Sequence, residues 1–143
     1  MVRVMVVDDH PLWREGVARD LTEAGLEVVA TAANGTEAMN RVLATRPEVL
    51  LLDLNIPAPD GVEVTARLTQ RGVDTKVLVL SASGEQQDVL DAVKAGASGY
   101  LVKSASREAL LDAVQAVARG ESVFTPGLAG LVLGEYRRLS EAP

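Results

Sequence analysis

The sequence predicts an α/β protein, a doubly wound five-stranded parallel sheet of flavodoxin-like order 2-1-3-4-5, built as (βα)5 with a short C-terminal helix. Three observations predict it. Five short Val/Leu-rich runs alternate with stretches of helical spacing. Most runs are continuous in apolar residues, the pattern of parallel strands covered on both faces. The connections are short, as in consecutive βα units. Periodicity does not give the strand order. For five strands, 2-1-3-4-5 is the preferred arrangement, and it brings the ends of the first and third strands together at the topological switch point.

The elements follow in order. The first strand is VRVMVV (2–7), and Pro11 marks the start of the helix after it, which Gly25 stops. Proline suits the first helical position because its missing N–H would have no partner there. LEVVAT (26–31) is the second strand, and Asn34 then caps a helix over 35–45. EVLLLD (48–53) is the third, followed by Asp60 capping 61–70, with Gly72 beyond. Asparagine and aspartate accept a bond from a free N–H of the first turn, and glycine takes the left-handed turn that ends a helix. KVLVLS (76–81) is the fourth strand; Val89 and Val93 lie one turn apart in the next helix, before Gly96. SGYLVK (98–103) is the fifth. Leu110, Val114 and Val117 then recur at i, i+4, i+7 in a helix that Gly120 closes. No linker or low-complexity stretch interrupts 1–120.

Composition narrows the function. With 143 residues the chain is one domain, able to bury roughly two-thirds of its unfolded surface. Apolar residues make up 48% and charged ones 24%, but there are only one Trp, two Tyr and one Phe, so Val, Leu and Ala fill the interior. The absence of cysteine excludes disulfides and thiolate metal sites. No apolar run approaches about 18 residues and no signal-peptide pattern opens the chain, so a cytoplasmic location and no membrane partner are expected. The net charge of −6, with Arg137–Arg138 the only basic pair, argues against nucleic-acid binding by this segment.

The polar residues collect where ligands bind in such sheets, at the C-terminal strand ends. The first strand ends in Asp8 and Asp9, the third in Asp53, the fourth in Ser81 and the fifth in Lys103. Each has an ordinary explanation by itself: an aspartate at a strand end is usually a turn former or cap, and a lysine is usually solvated. Their conjunction is harder to explain that way. Three converging carboxylates raise one another's pKa unless a cation offsets them. An all-oxygen set with few protein donors favours Mg²⁺. An ammonium and a hydroxyl beside the same carboxylate complete a site for an anion attached to it, and a phosphoryl group matches in charge and geometry. Asp53 is then the nucleophile, with metal and lysine stabilising the equatorial oxygens of an in-line transition state.

These residues resemble the receiver domain of two-component response regulators, over roughly 1–120. The landmarks are VVDDHPLWREGV, LLDLNIPAPDGVE, VLSAS and AGASGYLVKSA, in the right order. DDHPLWREG with AGASGYLVKSA is most similar to the NarL/FixJ class, whose members usually carry a C-terminal helix-turn-helix. The resemblance implies a phosphoacceptor signalling domain rather than an enzyme, with at most slow self-phosphorylation and self-dephosphorylation. Asp53 accepts phosphate from a sensor histidine kinase. Asp8, Asp9, Asp53 and the Asn55 backbone carbonyl position Mg²⁺. Lys103 pairs with the phosphate and Ser81 swings in to bond it. Tyr100 rotates into the space that Ser81 leaves, remodelling the surface of the fourth helix, fifth strand and fifth helix. Ala82, being small, keeps the entrance open, and Asn55 and Ser83 influence the phosphoryl lifetime. Two departures stand out. Ser104 replaces the proline that often follows the lysine, so no cis bond is expected there. Pro57-Ala58-Pro59 replaces the usual loop glycine, and two prolines stiffen that loop.

Other readings fare less well. A haloacid-dehalogenase-type phosphatase places its acids as D-x-D, whereas Asp8 and Asp9 are adjacent and the length leaves no room for a cap domain. A flavodoxin-like cofactor binder needs a phosphate-cradling first loop, and Asp-Asp-His-Pro is negative and glycine-free. A stand-alone receiver acting through protein contacts stays open. His10, beside the acidic pair, reads as the residue preceding the first helix, and Trp13 as a partly exposed packing residue. In the tail, 121–143, Leu128, Leu131, Val132, Tyr136 and Leu139 suggest a short amphipathic helix. Docking on the receiver, a homodimer contact and a linker to a DNA-binding module outside the chain are the alternatives for it.

Overall fold

The structure, a computed structural model, describes residues 1–82 and 86–124. Along the chain run β1 (Arg3–Val7), α1 (Pro11–Glu23), β2 (Glu27–Ala32), α2 (Gly35–Thr45), β3 (Val49–Asp53) and α3 (Gly61–Gln70). Then come β4 (Lys76–Ser81), α4 (Gln86–Ala95), β5 (Gly99–Val102), α5 (Arg107–Ala118) and β6 (Val123–Phe124). The sheet order is β2-β1-β3-β4-β5-β6, with every neighbouring pair parallel.

The five expected strands and their 2-1-3-4-5 order are present, and the sheet has one strand more than the sequence reading gave it. Val123 and Phe124 pair with Gly99 and Tyr100 on the outer edge of β5. Part of the stretch read as a linker therefore completes the sheet. A free strand edge exposes unpaired N–H and C=O groups, and the chain leaving α5 is the nearest cover for it. Gly99 makes the close approach feasible, since a Cβ there would lie 2.7 Å from the Val123 carbonyl oxygen. The expected helix of 128–139 lies outside the described residues.

Both sheet faces are buried, which explains the unbroken apolar runs. Alternate residues of β1 serve opposite layers: Met5 and Val7 pack with residues of α2, α3 and α4, Val4 and Val6 with those of α1 and α5. Each fully buried side chain of this kind contributes about 1.5–3 kcal/mol. Leu110, Val114 and Val117 of α5 are buried as their spacing predicts. The caps also hold: Asn34 accepts from the Glu37 N–H and Asp60 from the Glu63 N–H, both at 2.9 Å.

The segment after β3 is fixed by a close approach. At Gly61 an added Cβ would lie 2.6 Å from Leu54 Cα and 2.8 Å from the Asp53 carbonyl oxygen. The Gly61 N–H donates to the Leu54 carbonyl at 3.0 Å. The start of α3 is thereby packed directly on the strand end that carries Asp53. The cis peptide bond among the described residues is Ala58–Pro59, in the proline-rich loop, and none follows Lys103.

Candidate functional site

Parallel strands all end on the same side of the sheet, so β1, β3, β4 and β5 deliver their following residues to one edge. β1 stops at Val7 and Asp8–Asp9 begin the loop, whereas Asp53 and Ser81 are themselves the last residues of β3 and β4. β5 stops at Val102, and Lys103 is the next residue, its N–H donating to the Ser81 carbonyl at 2.9 Å.

The sheet brings the acids together as expected. Ligand atoms of Asp8, Asp9, His10 and Asp53 all lie within 4.8 Å of one another. Asp8 is fully buried and Asp53 is 3% exposed, while Asp9 is exposed. Two buried carboxylates need compensation, and the Lys103 ammonium gives it. It donates to Asp8 Oδ2 at 2.6 Å and to Asp53 Oδ2 at 3.1 Å, with the lysine side chain only 17% exposed. Burial alone would lower the Lys103 pKa, but the hydrogen bonds to Asp8 and Asp53, with the two negative charges, outweigh it. The ammonium is held above its ordinary value of 10.5.

Backbone and neighbouring groups orient these side chains. Asp8 Oδ1 accepts from the His10 N–H at 2.8 Å, and Arg14 reaches back to the Asp8 carbonyl at 2.7 Å. The Asn55 N–H donates to Asp53 Oδ1 at 3.1 Å, which turns Asp53 into the strand-end crevice. Ser81 is fully buried beside this group of residues, and the neighbouring Ala82 is exposed. Tyr100 is also fully buried, in the core layer beneath α2, α3 and α4. Ser83 lies outside the described residues.

Two contacts were not legible from the sequence. His10 Nδ1 lies 3.2 Å from Asp8 Oδ1 and 3.1 Å from Asp9 Oδ1, so this residue joins the acidic group while also preceding α1. Its only signal was adjacency to the acidic pair. Trp13, read as a packing residue, places its ring under the Lys103 ammonium, 4.5 Å from the centroid. An aromatic one turn into a helix is too common a pattern to betray such a role.

The donor set fits a hard dication. Three carboxylates against one ammonium leave an excess of two formal negative charges, and the oxygens lie close enough to share one ion.

The family model of the response regulator receiver domain matches residues 4–115. The chain belongs to that family. The transcriptional regulatory protein DegU of Brevibacillus brevis is 43% identical over 139 residues, an alignment covering 96% of this chain and 59% of DegU. Among solved structures, the signal receiver domain of the response regulator NarL from Mycobacterium tuberculosis is similar at a TM-score of 0.82 and 41% identity. That match covers 84% of this chain and 98% of the NarL domain. A LuxR-family two-component response regulator from Aurantimonas sp. SI85-9A1 reaches a TM-score of 0.85 at 36% identity, covering 95% of this chain and 98% of that one. The chain spans 59% to 64% of the length of curated relatives such as DegU and NarL. This receiver domain is therefore a signalling domain of the NarL/DegU type, as the DDHPLWREG and AGASGYLVKSA stretches imply. Among the described residues, no helix is long and apolar enough to cross a membrane.

Proposed function

We propose that this receiver domain takes a phosphoryl group onto Asp53 from a phosphohistidine of a sensor histidine kinase and converts it into a change of surface. One observation carries the reading. The nearly buried Asp53 carboxylate has an ammonium 3.1 Å away and two further acids within 4.8 Å, at the open end of a parallel sheet.

In the transfer, a lone pair of an Asp53 carboxylate oxygen forms a P–O bond as the donor's P–N bond breaks. The imidazole leaves with the bonding pair and retains or gains a proton, and Asp53 becomes an acyl phosphate. Asp8, Asp9, Asp53 and the Asn55 carbonyl would hold Mg²⁺, which supplies positive charge against the carboxylates and the phosphoryl oxygens. Lys103 keeps its ammonium at the equatorial oxygens, and the Ser81 hydroxyl donates to the attached group. Ala82 leaves the entrance open. Tyr100 follows Ser81 and alters the surface formed by α4, β5 and α5, a two-state element biased by a new charge-assisted bond.

The regulatory names of relatives such as DegU extend this reading to transcription, through a DNA-binding module outside these residues. The acidic net charge of −6 is consistent with a receiver that leaves DNA to such a module. The domain would work in the cytoplasm, with a homodimer as one output form. Its own chemistry would be confined to slow self-phosphorylation from small donors and slow hydrolysis.

Acetyl phosphate with Mg²⁺ tests the acceptor. Acid-labile phosphate should appear on the peptide containing Asp53, and a chelator should suppress it. If Asp53→Asn acquires label at the wild-type rate, the assignment is wrong.

A further inference from the structure

We infer that Trp13 is a positioning residue for phosphoryl transfer, its indole face holding the Lys103 ammonium at the Asp8–Asp53 pair. The inference rests on the reading of Asp53 as the acceptor. It adds a determinant that the strand-end residues do not include.

The ammonium has three N–H donors. Two are taken by Asp8 and Asp53, and the ring centroid of Trp13 lies 4.5 Å from the nitrogen. That distance is within the range in which a cation is attracted to the negative face of an aromatic ring, most strongly for tryptophan. The carboxylates and the ring together define where the charge sits.

The ring is itself fixed. Trp13 lies in the first turn of α1, and Arg14, the next residue, is tied to the Asp8 carbonyl at 2.7 Å. The acidic loop and the first turn of α1 are thus tied together. Trp13 is also partly buried against the core layer between the sheet and helices α1 and α5, which keeps it from following a displaced lysine.

There is room for a lysine that loses its support. A cavity of about 140 Å³ opens between α1 and α5, lined among others by Trp13, Val17, Leu101, Lys103, Ala105 and Leu110. Without the indole, that space enlarges next to a flexible four-carbon stem. The ammonium then samples positions away from the reacting oxygens. Pre-organised charge is what accelerates phosphoryl transfer, so looser placement slows the step without altering the acids.

Trp13→Leu and Trp13→Phe separate the ring face from simple packing, because leucine keeps apolar bulk and phenylalanine keeps a π face. With saturating acetyl phosphate and Mg²⁺, the first-order rate of Asp53 labelling should fall about three- to thirtyfold in Trp13→Leu, from the ordinary range of cation–π strengths. Trp13→Phe should recover most of it, and Mg²⁺ affinity should not fall in either variant, since the metal-binding acids are untouched. Equal losses in the two variants, or a Trp13→Leu rate within twofold of wild type, would overturn the inference.

A second readout needs no variant and no phosphorylation. The Lys103 ε-methylene is bonded to the nitrogen that sits 4.5 Å from the indole centroid, so its protons should resonate upfield of the other lysines; an unshifted signal would overturn the inference. If that signal is shifted while the wild-type protein takes no label on Asp53, the lysine placement stands and the acceptor assignment is what has failed.

Discussion

Lys103→Met should damage the site severely, with opposite effects on phosphorylation and on metal binding. The ammonium is the one cation in direct contact with both Asp8 and Asp53 among the described contacts, at 2.6 and 3.1 Å. Removing it leaves two buried carboxylates facing each other. Breaking a buried pair in this way ordinarily costs 3–5 kcal/mol, and the partial exposure of Lys103 places the expected loss near the lower end, about 3 kcal/mol. Mg²⁺ should bind the variant more tightly than wild type, because the competing positive charge is gone, and should restore part of the lost stability. Phosphorylation should nevertheless fall by about a hundredfold or more, since the metal cannot occupy the lysine's place at the equatorial oxygens. Denaturant melts with and without Mg²⁺, calorimetric metal titration and labelling rates check the three parts. Unchanged metal-free stability would show that the ammonium does not compensate the acids.

The same pair sets a pH dependence. The Lys103 pKa is raised in the folded protein, so the pairing stabilises the fold fully below the unfolded value of 10.5. That stability is lost as pH climbs through the higher folded value, where the ammonium gives up its proton. Wild type should therefore lose stability relative to Lys103→Met as pH climbs above about 10.5. A constant difference between the two proteins across that range would contradict the pairing.

Much of this site was legible because its chemistry sits at strand ends that follow from the hydrophobic pattern. Asp53 and Ser81 close the runs EVLLLD and KVLVLS, and the structure ends β3 and β4 on those same residues. Helices α2 and α3 were readable to the residue, since Asn34 and Asp60 make the capping bonds their side chains suggest. What escaped lacked a local signal. Two residues, Val123 and Phe124, are too few to show any period, so β6 emerges only from tertiary pairing with β5. The end of α2 carries no glycine; Arg46 takes the left-handed conformation there, with a φ of 49°. The roles of His10 and Trp13 depend on where Asp8 and Lys103 meet, a contact between residues 95 positions apart. Neither composition nor spacing along the chain encodes that distance.

Gly61→Ala should cripple the site from outside it. The added methyl carbon would lie 2.6 Å from Leu54 Cα and 2.8 Å from the Asp53 carbonyl oxygen. Both are backbone atoms, so no rotamer change relieves the clash. Leu54 cannot yield easily, because its N–H is bonded to the Leu80 carbonyl and its own carbonyl accepts from Gly61. Either α3 withdraws from the sheet or the end of β3 is pushed aside. Overpacking of this kind costs about 1–3 kcal/mol, a loss the domain can survive. The effect on transfer should be larger in proportion, because Asp53 would shift against Lys103, Asp8 and Asp9, and misplacement by about 1 Å can cost a hundredfold in rate. A folded Gly61→Ala protein should therefore label at least about tenfold more slowly than wild type, with the far-ultraviolet spectrum preserved. Gly16→Ala is the control: beyond the adjoining residues and its own helix backbone, no atom of the described residues lies within 4 Å of its added carbon, and its labelling rate should match wild type. If Gly61→Ala melts lower yet labels at the normal rate, the strand end has absorbed the methyl without moving Asp53, and the tight packing of α3 on β3 does not position the acceptor.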